Sequence, residues 1–323
     1  MAGNTLAARM SAAATALLST LDDEQRTLAA LPLADDAARR WLEYRPLPRP
    51  GASLARLTGP GRKAASRLLA TGLSEHAYAQ AMAIISLEEV LDLREGGARG
   101  RHLNDYWVCV FADPGALAGP TGDGPWAWRF EGHHLSVTMT VAGGEVSPAP
   151  VFFGANPARV SYAGRPVSRP LGPEEDVARA LLDAMGPAGR AAAVVAGQAP
   201  GDIRSGTSPR AAAGIEPLGV GAGRLGPTAR SVLAELAAVY IDRLPAELAA
   251  READRMATAE LHFAWEGPLT PGTRHYYRVQ GGDLLIEYDN TSEDGNHAHS
   301  VLRRPRGDFG DDVLAAHYRE AHA

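Results

Sequence analysis

The sequence predicts an α+β fold: two diverged repeats, each with helices followed by an antiparallel hairpin, packed as one pseudo-twofold domain. Apolar residues recur near helical spacing across residues 59–93 and 227–249, and strand-like segments follow both stretches. Short motifs of the first half also return in the same order in the second half, which is typical of a duplicated unit. Helices would then cover the outside of one sheet or of two packed sheets.

The repeat prediction depends on pairs of matching segments. The helix opener Gly59-Pro60 corresponds to Gly226-Pro227, and the hairpin segment 128–135 corresponds to 277–284. The predicted units are residues 1–145 and 173–323, joined by a connecting region at 146–172, together forming one compact domain. Chance similarity in a chain rich in Ala and Gly is the alternative.

The elements of the first half follow from local composition. Helices are expected where Ala and Leu dominate, at 4–20, 23–31 and 37–44, and again in a long helical region that Gly59-Pro60-Gly61 opens. Pro46, Pro48 and Pro50 force an irregular connection between them. Period-two patterns then predict strands at 105–111, 126–130 and 135–141.

The alternation of bulky residues changes parity in the middle of this half. Trp126, Trp128 and Phe130 occupy even positions, whereas the apolar residues from Leu135 onward occupy odd ones. A β-bulge near Gly132 would produce this change, because glycine tolerates the backbone that a bulge needs. His134 would then share the polar face of the second strand with Ser136.

The second half repeats the order of helices and strands. Pro173 with two glutamates starts a helix, and 227–249 is a further helical stretch followed by a strand at 259–265. Residues 197–227 are rich in Gly and Pro, which predicts a long loop or lid. Two strands, 275–280 and 283–289, form a hairpin through Gly281-Gly282.

Candidate metal ligands cluster after this hairpin. Alternation places Glu287 and Asp289 on one strand face, and an extended chain would point His297 and His299 in one direction. Histidine and carboxylate groups are ligands of divalent metals. We therefore expect one divalent metal ion (zinc, iron or copper) bound by ligands from the set His133, His134, Glu287, His297 and His299. Which of the two adjacent histidines faces the site is left open, and Glu287 and Asp289 could instead form a solvated face.

Other polar residues near these motifs are candidates for catalysis or substrate binding. Asp289 could hold a metal ligand in position or act as a general base itself, and His275 could transfer protons. Asn156, Tyr276 and Arg303 could orient a small anionic or amide substrate. Arg159 and Arg165 lie in a loop and could also contact substrate, but the favoured interpretation is that they are ordinary turn residues.

Composition limits the classes of partner. A net charge of −6 across 323 residues argues against a nucleic-acid surface. The single cysteine, Cys109, lies in a strand pattern and is expected to be a packed thiol. The sequence contains no run of 18 apolar residues, so we expect no membrane span. We also expect a cytoplasmic protein without a signal peptide. The oligomeric state is left open.

Six segments also give the chain a family resemblance. They are Gly132–Ser136, Phe153–Pro157, His275–Gln280, Ile286–Thr291, Asn296–Val301 and Asp308–Gly310. Through them nearly the whole chain resembles the uncharacterised proteins grouped as domain of unknown function 3500. This chain has Arg303-Arg304 where the resemblance leads us to expect Arg-Asp. The resemblance implies a shared site and names no reaction.

Three hypotheses about function remain. The first is a metal-dependent hydrolase that acts on a small polar substrate at a mononuclear site. The second is an iron- or copper-dependent oxidoreductase, since imidazole is a ligand for all three metals. The third is a non-catalytic ligand-binding protein in which the same groups form a structural polar network.

Overall fold

A computed structural model describes residues 5–117, 124–212 and 214–321, except for the side chains of residues 320 and 321. Within these ranges the α-helices are α1 (Leu6–Ser19), α2 (Asp23–Ala29), α3 (Asp36–Arg39), α4 (Gly59–Thr71), α5 (Glu75–Arg94), α6 (Gly172–Ala184), α7 (Gly186–Ala193), α8 (Pro227–Ile241), α9 (Ala246–Ala257) and α10 (Asp311–Ala321).

The strands of the same ranges are β1 (Ala30–Leu31), β2 (Ala52–Ser53), β3 (Tyr106–Ala112), β4 (Trp126–Gly132), β5 (Leu135–Ala142), β6 (Glu145–Ser147), β7 (Val151–Ala155), β8 (Val160–Tyr162), β9 (Arg165–Ser168), β10 (Val194–Ala196), β11 (Val220–Gly221), β12 (His262–Glu266), β13 (Tyr276–Gly281), β14 (Leu284–Ser292) and β15 (His297–Arg303). This combination of helices with a large, mostly antiparallel sheet confirms the α+β prediction.

One sheet contains all of these strands except β8 and β9, which form a separate hairpin. Its main order is β1-β3-β4-β5-β7-β15-β14-β13-β12-β10. The central neighbours, β7 and β15, run antiparallel and pair Val151 with Leu302. At the two ends, β1 pairs in parallel with β3 and β10 pairs in parallel with β12. The short strands β2 and β11 pair antiparallel with β3 and β12.

The long helical region of the first half divides into two helices. Gly72 ends α4, and Ser74 caps α5 by accepting a hydrogen bond from the backbone N–H of Ala77. A β-carbon on Gly72 would lie 2.8 Å from the indole of Trp128, so only glycine lets the chain pass this close to the sheet. The single helix predicted at 227–249 is likewise two helices, α8 and α9. The helix predicted at 37–44 is shorter than expected and consists of α3 alone.

Strand alternation gives the large sheet one apolar face. Residues such as Val108, Phe130, Val137, Phe153 and Ile286 point to this side and are fully or almost fully buried. The apolar faces of α1, α4, α5, α6 and α8 pack against them in one continuous core. Burial of this surface is the main favourable contribution to folding.

The opposite face of the sheet is buried but polar. It carries charged or hydrogen-bonding side chains on neighbouring strands, among them Arg129, Glu131, Ser136, Arg278, Glu287, Asp289, His299 and Arg303. Chain segments of little regular structure cover this face. In particular, Ile203 of the predicted loop or lid is buried with Tyr44, Phe152 and Phe309. This part of the 197–227 segment is therefore packed against the sheet.

The predicted bulge near Gly132 is a hairpin turn. β4 and β5 are paired without a register shift, from Trp126 opposite Val141 to Gly132 opposite Leu135. His133 and His134 form the two-residue connection between the strands. The turn accounts for the parity change because it reverses the chain between the two strands. In the described ranges no helix is both long enough and apolar enough to cross a membrane.

Candidate metal centre

Three imidazoles converge on the polar side of the sheet. Nε2 of His297 lies 2.8 Å from Nε2 of His134 and 3.0 Å from Nε2 of His299. Each histidine offers a ligand nitrogen, and all three nitrogens lie within 4.8 Å of one another. Nitrogens bound at about 2.0–2.1 Å to a tetrahedral zinc ion would lie about 3.3 Å apart. Small side-chain movements would therefore accommodate a metal ion among these three nitrogens.

The alternation of β15 brings two of these histidines together. His297 and His299 are separated by one residue on an extended strand, so their rings point to the same face. On β7, Gly154 lies opposite His299. A β-carbon on Gly154 would approach the His134 ring to 2.7 Å, so the glycine makes room for the third imidazole. The sequence Phe153-Gly154-Ala155 thus contributes to the centre without providing a ligand.

The turn backbone positions His134. Its φ of 60° is unusual for a residue with a β-carbon, and its N–H and carbonyl are held by Tyr44 and Gly154. Glu293 and Asp294, which precede β15, also have positive φ values of 48° and 53°. Backbone conformations of this kind often occur at functional sites, where the surrounding structure enforces them.

Two carboxylates contact the far side of His299. Its Nδ1 lies 2.9 Å from Asp202 and 3.3 Å from Asp289. Burial opposes protonation of His299, but the two carboxylates outweigh it and raise the pKa of the imidazole to about 9. Tyr44 donates a hydrogen bond to Asp202, and Thr291 donates two to Asp289. This arrangement fixes the ring orientation and leaves Nε2 facing the other histidines.

His297 has weaker partners on its far side. Its Nδ1 lies 3.3 Å from the amide nitrogen of Asn156 and 3.5 Å from the carboxylate of Glu293. Burial and the nearby His299 lower the pKa of His297 to about 3. Burial and the neighbouring histidines also lower the pKa of His134 well below its usual range. Two of the three imidazoles are therefore neutral at pH 7, the form that binds a metal.

His133 is adjacent to the three-histidine group but has different partners. Its ring centroid lies 3.7 Å from that of His134, while its Nδ1 lies 2.5 Å from Glu88 and 3.3 Å from Arg101. Glu88, His133 and His134 could geometrically form a second metal group. The guanidinium of Arg101 lies 3.7 Å from Glu88, and this fixed positive charge disfavours a cation there. His134, His297 and His299 therefore form the better metal group.

Glu287 is not brought into this group. Its buried carboxylate accepts hydrogen bonds from the hydroxyl of Tyr276 and the backbone N–H of Ser205. Burial raises its pKa despite these bonds. Glu287 shares a sheet face with Asp289, as the alternation predicts, but its oxygens are used in the interior. Tyr276 consequently contacts Glu287 rather than the imidazoles.

His275 and Arg303 also lie outside the centre. His275 stacks on Trp265 at 4.4 Å on the apolar side of the sheet, and its Nδ1 contacts the carbonyl of Thr273. Arg303 is fully buried and donates a hydrogen bond to Asp308 at 2.8 Å. The sequence-predicted residues that the structure brings together are thus His134, His297, His299, Asp289 and Asn156, with His133 beside them.

The family described as "Protein of unknown function (DUF3500)" matches residues 3–311. The chain belongs to this family. No curated protein and no solved structure matches the chain. Membership in the DUF3500 family confirms the resemblance found in the sequence, and the family description gives no activity.

Sequence reasoning missed several residues near the centre, among them Asp202, Glu88 and Arg101. Asp202 lies in the Gly- and Pro-rich segment, 97 positions before the His299 that it contacts. Glu88 lies in the C-terminal half of α5, and Arg101 lies in the coil after that helix. Nothing in the local pattern distinguishes these side chains from solvated helix or loop charges. Only their packing against His299 and His133 identifies them.

Proposed function

We propose that the protein is a metal-dependent enzyme in which His134, His297 and His299 bind one divalent ion. The convergence of the three Nε2 atoms is the observation that carries this proposal. A second set of partners supports it, because carboxylates orient His299 from its far side as the outer groups of metal sites do. Asp289 is assigned here as a positioning residue, and Asn156 as a contact of His297.

We propose hydrolysis of a small polar substrate as the reaction of this site. Once a bound ion has displaced the proton of His299, the three imidazoles would add no charge of their own to the ion. An ion in such a site would lower the pKa of a bound water to about 7. A three-histidine set also leaves at least one coordination position for water or substrate. No role at the ion is proposed for Glu287, because its carboxylate bonds to Tyr276 and Ser205.

An iron- or copper-dependent oxidoreductase is the second candidate. The observation in its favour is the all-imidazole donor set, which suits iron and copper as well as zinc. The hydrolase would retain zinc, whereas the oxidoreductase would retain iron or copper and would require oxygen for its reaction.

A non-catalytic binding protein is the third candidate. Its support is the chain of contacts from Thr291 through Asp289 and His299 to His297, which could stabilise the sheet without a metal. A network of this kind rigidifies a structure when its members are satisfied. It would bind no metal, and His299→Ala would then affect stability alone.

We further infer that the two halves are diverged copies related by a pseudo-twofold axis between β7 and β15, within one domain. On this inference β7 belongs to the first copy, whereas the sequence prediction assigned 146–172 to a connecting region. The matching positions of β1 and β10, of β2 and β11, and of the β4–β5 and β13–β14 hairpins support this inference. The three-histidine group lacks a second copy in the corresponding place, because Gly282 and Asp283 form the turn that corresponds to His133 and His134. Only one metal ion per chain is therefore proposed.

Elemental analysis of protein produced without a histidine tag tests the metal proposal. We expect about one equivalent of a divalent metal per chain in the wild type and a loss of about tenfold or more in His297→Ala/His299→Ala. His76→Ala is the matched control, since its imidazole is exposed and its hydrogen-bond contact among the described residues is Ser74. Retained zinc would direct assays to hydrolytic substrates, and retained iron or copper to oxygen-dependent ones.

The interpretation of a negative result depends on the His76→Ala control and on whether the double variant folds. Equal metal content in the wild type and the folded double variant would contradict the assignment of these ligands. No metal in the wild type, even after reconstitution with zinc, iron and copper, would reject the metalloenzyme and leave the structural network.

A further inference from the structure

A cavity of about 310 Å³ lies beside His133. Its wall includes the His133 side chain, whose ring stacks on that of His134, so the cavity adjoins the three-histidine group. None of His134, His297 and His299 lines it. The volume lies at the lower end of the range for pockets that bind small molecules. The cavity is thus large enough for a compact ligand and separate from the proposed metal ligands.

Two buried guanidinium groups form part of this wall. Arg101 donates hydrogen bonds from Nε and Nη2 to Glu95, and its Nη1 faces His133. Arg49 donates from Nη2 to two backbone carbonyls, and its Nε lies 3.2 Å from Glu131. Their side chains are only 7% and 1% exposed, so both groups are held in place before any ligand arrives. Such preorganisation reduces the entropy lost on binding.

Both guanidiniums keep donors that the described residues do not use. Each arginine has five N–H groups. The contacts above leave Nη1 of Arg49 and one N–H on each terminal nitrogen of Arg101 without a hydrogen-bond partner in those ranges, although Nη1 of Arg101 also lies 3.7 Å from Glu88. A planar carboxylate matches the spacing of guanidinium donors. These cavity-wall groups therefore favour a ligand with a carboxylate.

The wall contains further charged side chains, and most of them have partners in the protein. Arg99 adds a third guanidinium, which is 63% exposed, while Glu88 and Asp105 contribute two carboxylates. Glu88 contacts His133 and Arg101, and Asp105 accepts a hydrogen bond from the backbone N–H of His102. Both acids thus have partners in the protein, and Glu95 and Glu131 likewise lie against Arg101 and Arg49. A carboxylate ligand would therefore be held by the unused guanidinium N–H groups rather than by a net positive charge.

The rest of the wall is apolar. Trp107, Pro46, Leu47 and Pro48 line it, and the guanidinium of Arg49 lies over the Trp107 ring at 5.3 Å. This surface suits a compact ring or short hydrocarbon body, since the proline rings and indole lose little freedom on contact. We propose that this cavity binds a small monocarboxylic acid, with its carboxylate at Arg101 and Arg49 and its apolar body against Trp107 and the prolines.

Calorimetric titration with benzoate, phenylacetate, benzamide and acetate tests this site. We expect benzoate or phenylacetate to bind with one site per chain, and benzamide and acetate to bind about tenfold more weakly, because each lacks the charge or the ring. Arg101→Gln should weaken the binding of the aromatic acid about tenfold or more, and Arg99→Gln about threefold. Arg56→Gln is the control, since this exposed arginine pairs with Glu24 outside the cavity.

The titrations are repeated with Arg101→Lys and with His299→Ala. Arg101→Lys keeps the charge and tests the guanidinium fork should the glutamine variant fail to fold. Unchanged acid binding by His299→Ala is expected, so this result is independent of whether the metal proposal holds. Equal affinity for benzoate and benzamide, unchanged binding in folded Arg101→Gln and Arg101→Lys, or no aromatic acid binding below about 10 mM would overturn the proposal.

Discussion

His299 and His275 are both buried, but their surroundings shift the pKa values of the two imidazoles in opposite directions. His299 contacts two carboxylates, which raise its pKa to about 9. His275 stacks on Trp265 and has the guanidinium of Arg179 at 3.3 Å, and burial lowers its pKa to about 4. The two residues are only 24 positions apart in the sequence, yet their rings pack on opposite faces of the sheet. The side of the sheet, rather than nearness in the sequence, therefore determines which histidine can serve a metal site.

The strongest test of this comparison is to remove each imidazole in turn. We expect His299→Ala to weaken zinc binding about a thousandfold, or about 4 kcal/mol, because a ligand is lost. His275→Phe should keep the wild-type affinity, since the ring faces Trp265. Competition with a chelator of known affinity measures both. Similar losses in the two variants would contradict the contrast.

The pH dependence of stability tests the His275 side. Its folded pKa of about 4 lies below the unfolded value of 6.5, so at acidic pH the unfolded chain binds a proton that the folded chain does not. This contribution to the free energy of unfolding is present above pH 6.5 and is lost as the pH falls towards 4, by about 3 kcal/mol in total. Urea unfolding at several pH values measures it.

His275→Phe is the control for that measurement. It preserves an aromatic ring against Trp265 and removes the titrating group. The difference in unfolding free energy between wild type and variant should change with pH between about 6.5 and 4 and be constant at higher pH. A difference that is independent of pH would reject the assignment.

The pH dependence of metal affinity tests the His299 side. Below pH 9 the metal-free protein carries a proton on His299, and zinc must displace it. His134 and His297 are already neutral, so they add no further proton. The affinity for zinc should rise about tenfold per pH unit between roughly pH 6.5 and 8.5. Calorimetry in buffers of different ionisation enthalpy should show about one proton released, and a release near zero would contradict the raised pKa.

The smallest expected effect concerns the carboxylates behind His299. Asp202→Asn keeps a hydrogen-bond acceptor near Nδ1 but removes a charge, and we expect zinc affinity to fall about tenfold. The same change should lower the pKa of His299, which NMR titration of metal-free protein would detect. Asp254→Asn is a suitable control because Asp254 lies on the exposed side of α9. Equal effects of the two substitutions would show that Asp202 does not act through His299.

Local patterns predicted part of this fold and site. Alternation along β15 predicted that His297 and His299 share a face, and the Gly281-Gly282 signal predicted the second hairpin. The parity change at Gly132 was detected, but its cause is a turn, because period-two patterns do not distinguish a reversal of the chain from an inserted residue. The α+β class followed from the order of helices and strands.

Contacts distant along the chain could not be predicted in this way. The Asp202–His299 contact and the Glu88–His133 contact depend on how segments cover a completed sheet. Glu287 shares the face of Asp289 as expected, yet Tyr276 and Ser205 use its oxygens, a choice that alternation does not determine. His275 precedes β13 and turns its ring to the apolar side, where Trp265 and Tyr288 lie.

Anomalous diffraction from crystals of zinc-loaded protein, measured at the zinc edge, would show whether His134, His297 and His299 bind the ion. We predict a single strong peak per chain at about 2.0–2.1 Å from Nε2 of His134, His297 and His299. Loss of this peak in His299→Ala crystals, with the sheet unchanged, would complete the assignment. A peak between Glu88 and His133, or no ordered zinc among the three imidazoles at saturating metal, would contradict it.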